Sequence, residues 1–189
     1  MAELIFEFGT MNVSKSARII MQAYQHMKNG KKVVIFKPSR DTRDGAYVIS
    51  RALQTVMPAI LIDELGKMYN TVSREKPHIV FVDEVHFFSR EFIEELALIV
   101  DDLDVTVHAY GLLTDFKSEM FEGSKRLMEL ADKRIQIESE CTECERTAVV
   151  NARFVNGEVQ VDGEQIVPGA EDIYKVLCRK CFFDKLGGI

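Results

Sequence analysis

The sequence has no excess of basic residues. It carries 30 Asp and Glu against 24 Lys and Arg, a net charge of −6. A surface that neutralises a nucleic-acid backbone needs the opposite balance, which argues against nucleic acid as a partner. Long apolar runs are also missing. None approaches the ~20 residues that a membrane-spanning helix requires. The opening MAELIFEFG lacks the basic start and extended apolar stretch of a secretory leader. The expectation is a cytoplasmic protein with no membrane partner. Cysteine is sparse, with four residues in 189. In a reducing compartment these read better as metal ligands or free thiols than as disulfides. What is present, 47% hydrophobic and 29% charged residues, suffices for a buried core and a solvated surface. The length suggests one main domain with a small appendage.

Strand-like and helix-like stretches alternate through most of the chain. Apolar residues concentrate at 3–8, 32–36, 59–63, 78–84, 105–111 and 134–138, while helical patterns mark 16–28, 64–75, 89–100 and 123–132. Ser89 stands where an N-cap is expected, with Glu91 in the first turn. Residues 39–45, SRDTRDG, read as a polar loop, and no element is assigned to 46–58. The alternation predicts an α/β core with a mostly parallel sheet flanked by helices. After about residue 140 the texture changes. Short β-prone stretches at 148–155 and 158–161 meet at Asn156-Gly157, a hairpin signal, and cysteines flank them. Two domains are expected, 1–139 and 140–189, divided near Ser139.

The segment after the first strand, Gly9-Thr10-Met11-Asn12-Val13-Ser14-Lys15-Ser16, nearly matches the phosphate-binding pattern G-x-x-x-x-G-K-[ST]. Such a turn between strand and helix directs backbone N–H groups and a helix N-terminus at phosphate oxygens. Lys15 would meet the β- and γ-phosphates and the Ser16 hydroxyl would bind Mg²⁺. Ser14 occupies the position of the second glycine, which predicts weakened rather than abolished binding. Alone, this loop fits an ordinary strand–helix turn equally well. A second motif strengthens it. The apolar run Ile79-Val80-Phe81-Val82 ends in Asp83-Glu84, placing an acid pair at the carboxyl edge of a sheet, where ligands of open α/β folds bind. Asp83 is there the candidate second Mg²⁺ ligand.

Cys141-Thr-Glu-Cys144 and Cys178-Arg-Lys-Cys181 are two C-x-x-C pairs that together use every cysteine in the chain. Four thiolates paired in this way suit a structural tetrahedral Zn²⁺ with no open coordination position. A redox dithiol or scattered buried thiols are the alternatives.

Five segments in order resemble the cytosolic zinc-containing (type II) thymidine kinase family: GTMNVSKS, KPSRDTRDG, FVDEVHFF, AYGLLTDFKSEMFEGSKRL and VPGAEDIYKVLCRKC. The resemblance implies a P-loop NTPase-like sheet, a small C-terminal zinc-binding β-rich domain and a lasso-like loop over the substrate. It implies transfer of the γ-phosphoryl of ATP to the 5′-hydroxyl of deoxythymidine, giving dTMP for pyrimidine salvage and DNA synthesis. By the same resemblance Gly9 to Ser16, with Asp41, Arg43 and Asp83, handle ATP and magnesium, and Glu84 is the catalytic base. Met11, His86, Phe87, Leu112, Phe116 and Tyr174 would surround the thymine. Plain core packing is the other reading of Phe87, Phe88 and Phe116. A homotetramer and feedback inhibition by thymidine triphosphate are implied as well. Ser14, Val13, His86 and Leu113 depart from the family's usual residues. They leave a second possibility, a degenerate relative that binds thymidine or its triphosphate as a sensor with little turnover.

Overall fold

The structure is a computed structural model that describes residues 1–163 and 173–187. Its main sheet has six strands: β1 (Leu4–Gly9), β2 (Val33–Pro38), β5 (Ile60–Ile62), β6 (Ile79–Val82), β7 (Thr106–Gly111) and β8 (Lys133–Ile137). Their spatial order is β5-β2-β6-β7-β1-β8, and every pairing is parallel. Parallel strands need crossover connections; four helices supply four of the five, α1 (Lys15–Lys28), α2 (Lys67–Glu75), α3 (Arg90–Leu103) and α4 (Glu122–Leu130), while the connection from β2 to β5 runs through a hairpin instead.

The central strands are apolar on both faces because both are covered. In β6, Val80 and Val82 join a core with Phe6, Val107, Ile93, Leu96 and Leu127. Ile79 and Phe81 point the other way, to Ile19, Ile20, Ala23 and Tyr110. The alternation of side chains along a strand produces this split. Helix α2 begins at Gly66, which has no capping side chain of its own. Buried Glu95 on α3 fills the gap, accepting from Gly66 N at 3.1 Å and Tyr69 N at 2.8 Å. At the start of α3, Ser89 occupies the N-cap position but makes no side-chain cap bond. Its hydroxyl donates to Glu91 Oε2 instead.

The stretch 46–58, without an assigned element in the sequence, forms an antiparallel hairpin of β3 (Tyr47–Ser50) and β4 (Thr55–Pro58). Its strands are half-polar and short, so no periodicity announces them. Beyond β8 a three-stranded antiparallel sheet is built from β9 (Val150–Val155), β10 (Glu158–Gln160) and β11 (Ile173–Leu177), followed by α5 (Arg179–Lys185). The β9–β10 turn places Asn156 and Gly157 at φ of 52° and 85°, the left-handed pair that tight two-residue hairpins require. The lasso-like loop expected from the sequence falls largely on 164–172, outside the described residues. Among the described residues, no helix is long and apolar enough to cross a membrane.

Candidate active site

The carboxyl ends of β1, β2, β6 and β7 share one edge of the sheet, so the segments that follow them converge. Only β7 lies between β1 and β6. This brings the loop after β1 and the acids after β6 together although they are about 70 residues apart in the chain. The loop turns tightly. Gly9 is dictated by packing: a Cβ there would lie 2.6 Å from Ile137 O and 2.8 Å from a Val13 methyl. Asn12 and Ser14 both adopt positive φ, 62° and 59°. Position 14 therefore has a conformation that glycine takes freely and serine does not. Val13 packs its side chain into the core beside Ile19, Ile35 and Ile137.

Lys15 is buried, and its ammonium donates to Thr10 O at 2.6 Å. Burial depresses its pKa, while the Glu84 and Asp83 charges act in the opposite direction. Ser16 Oγ donates to Asp83 Oδ2 at 3.3 Å. These two oxygens come from the end of the loop after β1 and from the end of β6, with β7 between the two strands. Hard oxygen donors so placed fit a divalent cation such as Mg²⁺. Burial, then the adjacent Glu84 charge, pushes the Asp83 carboxyl up to about 7. A cation at that position would reverse the shift by favouring the carboxylate.

Glu84 adopts φ 51°, which turns its carboxylate from the strand end toward the loop after β2. Arg43 Nη2 donates to Glu84 Oε1 at 2.7 Å. The same guanidinium grips Asp41 through Nε at 2.7 Å and Nη2 at 3.0 Å. Asp41 also meets the buried Lys37 ammonium at 3.1 Å. Burial alone would raise the Asp41 pKa, but Arg43 and Lys37 outweigh it and lower it. The sequence reading placed Lys37 in a motif without giving it a role. Its near-complete burial beside Asp41 shows that it anchors the loop carrying Asp41 and Arg43.

His86 is buried between Phe87 and Phe121, ring centroids 4.1 Å and 4.7 Å away. Its Nδ1 accepts from Leu112 N at 3.2 Å, so the ring proton belongs on Nε2. Burial lowers its pKa to about 4. The imidazole is thus neutral, and its 3.5 Å approach to Glu84 Oε2 is not an ion pair. Gly111 makes room for it, since a Cβ there would sit 2.9 Å from Val85 and 3.2 Å from His86 Nδ1.

These groups surround a cavity of about 700 Å³, the size range of small-molecule sites. Asn12, Ser14, Lys15, Ser16, Asp41, Arg43 and Glu84 are among its polar lining; Met11, Phe87, Leu112, Phe116 and Tyr174 are among its apolar and aromatic lining. Phe116 is nonetheless almost fully buried, stacked under the Arg153 guanidinium at 5.3 Å. Gly9, Thr10 and Asp83 sit behind the cavity wall. Phe88 is core. Leu113 packs against the main core and a separate small cavity, so the departure there does not alter this lining. Sequence reasoning missed Asn151, which lines the cavity from β9. A lone Asn in a strand carries no motif.

The four cysteines form one cluster, all ligand atoms within 4.8 Å of one another. Cys144 Sγ lies 3.7 Å from Cys178 Sγ and 3.7 Å from Cys181 Sγ. Sulfurs at the corners of a tetrahedron with ~2.3 Å metal–sulfur bonds are ~3.8 Å apart. The set is compatible with a structural zinc ion.

A family model described as thymidine kinase matches residues 2–182. The thymidine kinase of Streptococcus gordonii is 40% identical over 187 residues, covering 97% of this chain and 97% of that protein. Those of Streptococcus pyogenes serotype M3 and Streptococcus agalactiae serotype Ia are each 38% identical over 186 residues, covering 97% of this chain and 98% of theirs. A match of this extent, over a chain whose phosphate loop and strand-end acids meet at one cavity, leaves one assignment: the chain belongs to the thymidine kinase family.

Proposed function

We propose that the protein is a deoxythymidine kinase that moves the γ-phosphoryl of ATP to the nucleoside 5′-hydroxyl, yielding dTMP. The observation that carries this reading is that Lys15, Ser16 and Glu84 line one cavity, with Asp83 directly behind Ser16, and that apolar and aromatic side chains form part of the same lining. Phosphoryl transfer asks a protein for positioning, charge stabilisation and a proton acceptor. The loop 9–16 cradles the phosphates and Lys15 supplies the compensating charge. Ser16 and Asp83 would hold Mg²⁺, which when bound neutralises charge on the β- and γ-phosphates. Glu84 takes the proton of the attacking hydroxyl at Oε2, because Arg43 engages Oε1. Arg43, exposed on its loop, is within reach of both the base and the phosphates. Met11, Phe87, Leu112 and Phe116 offer apolar faces to a flat pyrimidine, and neutral His86 can present only Nε2–H toward the site.

The same reading takes 1–139 as the unit of donor chemistry and 140–189 as a zinc-stapled unit that closes over the acceptor, with Tyr174 at its inner edge. A cytoplasmic homotetramer inhibited by thymidine triphosphate completes it. The sensor alternative has no specific observation in its favour.

The test is a phosphorylation assay across a panel of nucleosides with ATP and Mg²⁺. Thymidine should be the preferred acceptor. Glu84→Gln should lose on the order of 10²–10⁴-fold in turnover while keeping its affinity for ATP. Protein that binds ATP normally but phosphorylates no nucleoside would overturn the reading.

A further inference from the structure

Asn151 is a buried polar residue in the middle of a strand, 3% exposed. Strand interiors disfavour asparagine, and a buried amide must find partners. It finds two, in segments far apart in sequence. Its Oδ1 accepts from Met11 N at 2.7 Å, in the phosphate loop. Its Nδ2 donates to Thr114 O at 3.1 Å, in the segment after β7. The orientation of the amide is unambiguous, because a backbone N–H can only donate and a carbonyl can only accept. The plane of one carboxamide therefore sets the spacing between two lining segments of the cavity, those that follow the paired strands β1 and β7. It also stands between that cavity and a smaller one of about 130 Å³.

The strand behind it is held rigidly. Val150, Ala152 and Phe154 face away from Asn151 and pack with Cys141, Cys178, Leu177 and Phe182. β9 pairs along its length with β11, which runs directly into Cys178. A second tie, between the Thr10 and Ser139 hydroxyls at 2.7 Å, fastens the same loop to the same side of the molecule.

We propose that Asn151 is a positioning residue: its carboxamide clamps the phosphate loop to the segment after β7, so the C-terminal sheet sets the geometry with which the loop receives ATP. This rests on the kinase reading only for the identity of the ligand. Without the clamp, Met11 N–H and Thr114 C=O lose their partner, and the loop loses its fixed backing.

Two variants test it, with Mg²⁺·ATP affinity measured by calorimetry beside thymidine turnover. Asn151→Ala should weaken Mg²⁺·ATP binding about tenfold, the order expected for leaving buried backbone groups unpaired, while the KM for thymidine changes less. Asn151→Asp separates positioning from folding. Its ionised carboxylate can accept from Met11 N–H but repels Thr114 C=O. Its protonated form both donates and accepts, as the amide does. Its ATP affinity relative to the unaltered protein should therefore recover as pH falls from 8 to 6. Asn151→Ala binding ATP within about twofold of the unaltered protein, or an Asn151→Asp ratio flat across that pH range, overturns the proposal. Unaltered protein that binds Mg²⁺·ATP without phosphorylating thymidine refutes the kinase reading alone, because the binding comparison still decides the role of Asn151.

Discussion

The serine in the phosphate loop gives the sharpest quantitative expectation. Ser14 sits at φ 59°, ψ 31°, with no side-chain cap bond to α1, and its side chain is exposed. The left-handed conformation costs an L-residue about 1–2 kcal/mol. Glycine escapes that cost but adds unfolded-chain entropy of about 0.4–1 kcal/mol. Ser14→Gly forfeits no hydrogen bond to the helix, so the balance is a net stabilisation of about 0.5–1 kcal/mol. For a chain of this size that is a rise of roughly 1–3 °C in the unfolding midpoint. On the proposed kinase reading the same change removes a Cβ and hydroxyl from the loop that would cradle the phosphates, and the KM for ATP should fall. Differential scanning calorimetry of the protein without nucleotide, paired with initial rates against ATP concentration, measures both. A midpoint that drops, together with an unchanged KM for ATP, would refute the claim that backbone conformation makes serine the weaker residue here.

Three other expectations follow from the same coordinates. Glu7 is buried in β1, where burial alone would raise its pKa; hydrogen bonds with His108 and Tyr110 and the His108 and Arg18 charges outweigh this and lower it below the ordinary 4.5. A depressed acid contributes stability above its unfolded pKa and loses it as pH falls through the folded one. The stability advantage of the unaltered protein over Glu7→Gln in urea titrations should therefore shrink as pH falls below about 4.5. For His86, the ring should stay neutral down to about pH 4. An NMR titration showing a midpoint near 6.5 would contradict its burial against Leu112 N–H. Finally, chelation or Cys178→Ser should release one zinc per chain and loosen β9 and β11. Amide exchange should rise there first, with the main sheet unaffected until later.

Much of this molecule was readable from residue order. The strand-to-helix turns at Gly9 and after Val82, the doubled C-x-x-C spacing and the Asn156-Gly157 turn are local signals. Each works through nearby backbone geometry or through ligand spacing along a few residues. The family resemblance rests on the same short segments. Other features were not readable. The hairpin at 47–58 lacks a periodic pattern because it is short and half exposed. The true burden of Ser14 was hidden, since a φ angle is not written in a residue name. Val13 and Leu113 read as departures near the nucleotide, and the fold turns both into the core.

By itself, then, the order of residues pointed to the alternating α/β core, the candidate phosphate loop, the acid pair and the two C-x-x-C turns, because each is a local pattern within one turn or one strand. Only the tertiary structure decided that Arg43 reaches Glu84, that Lys37 underpins Asp41, that His86 is held neutral, and that Asn151 joins the C-terminal sheet to the phosphate loop. Apart from the Lys37–Asp41 pair, four residues apart, those contacts link residues distant in the chain. They arise when parallel strands align their carboxyl ends and bury polar groups that must then find partners across the fold.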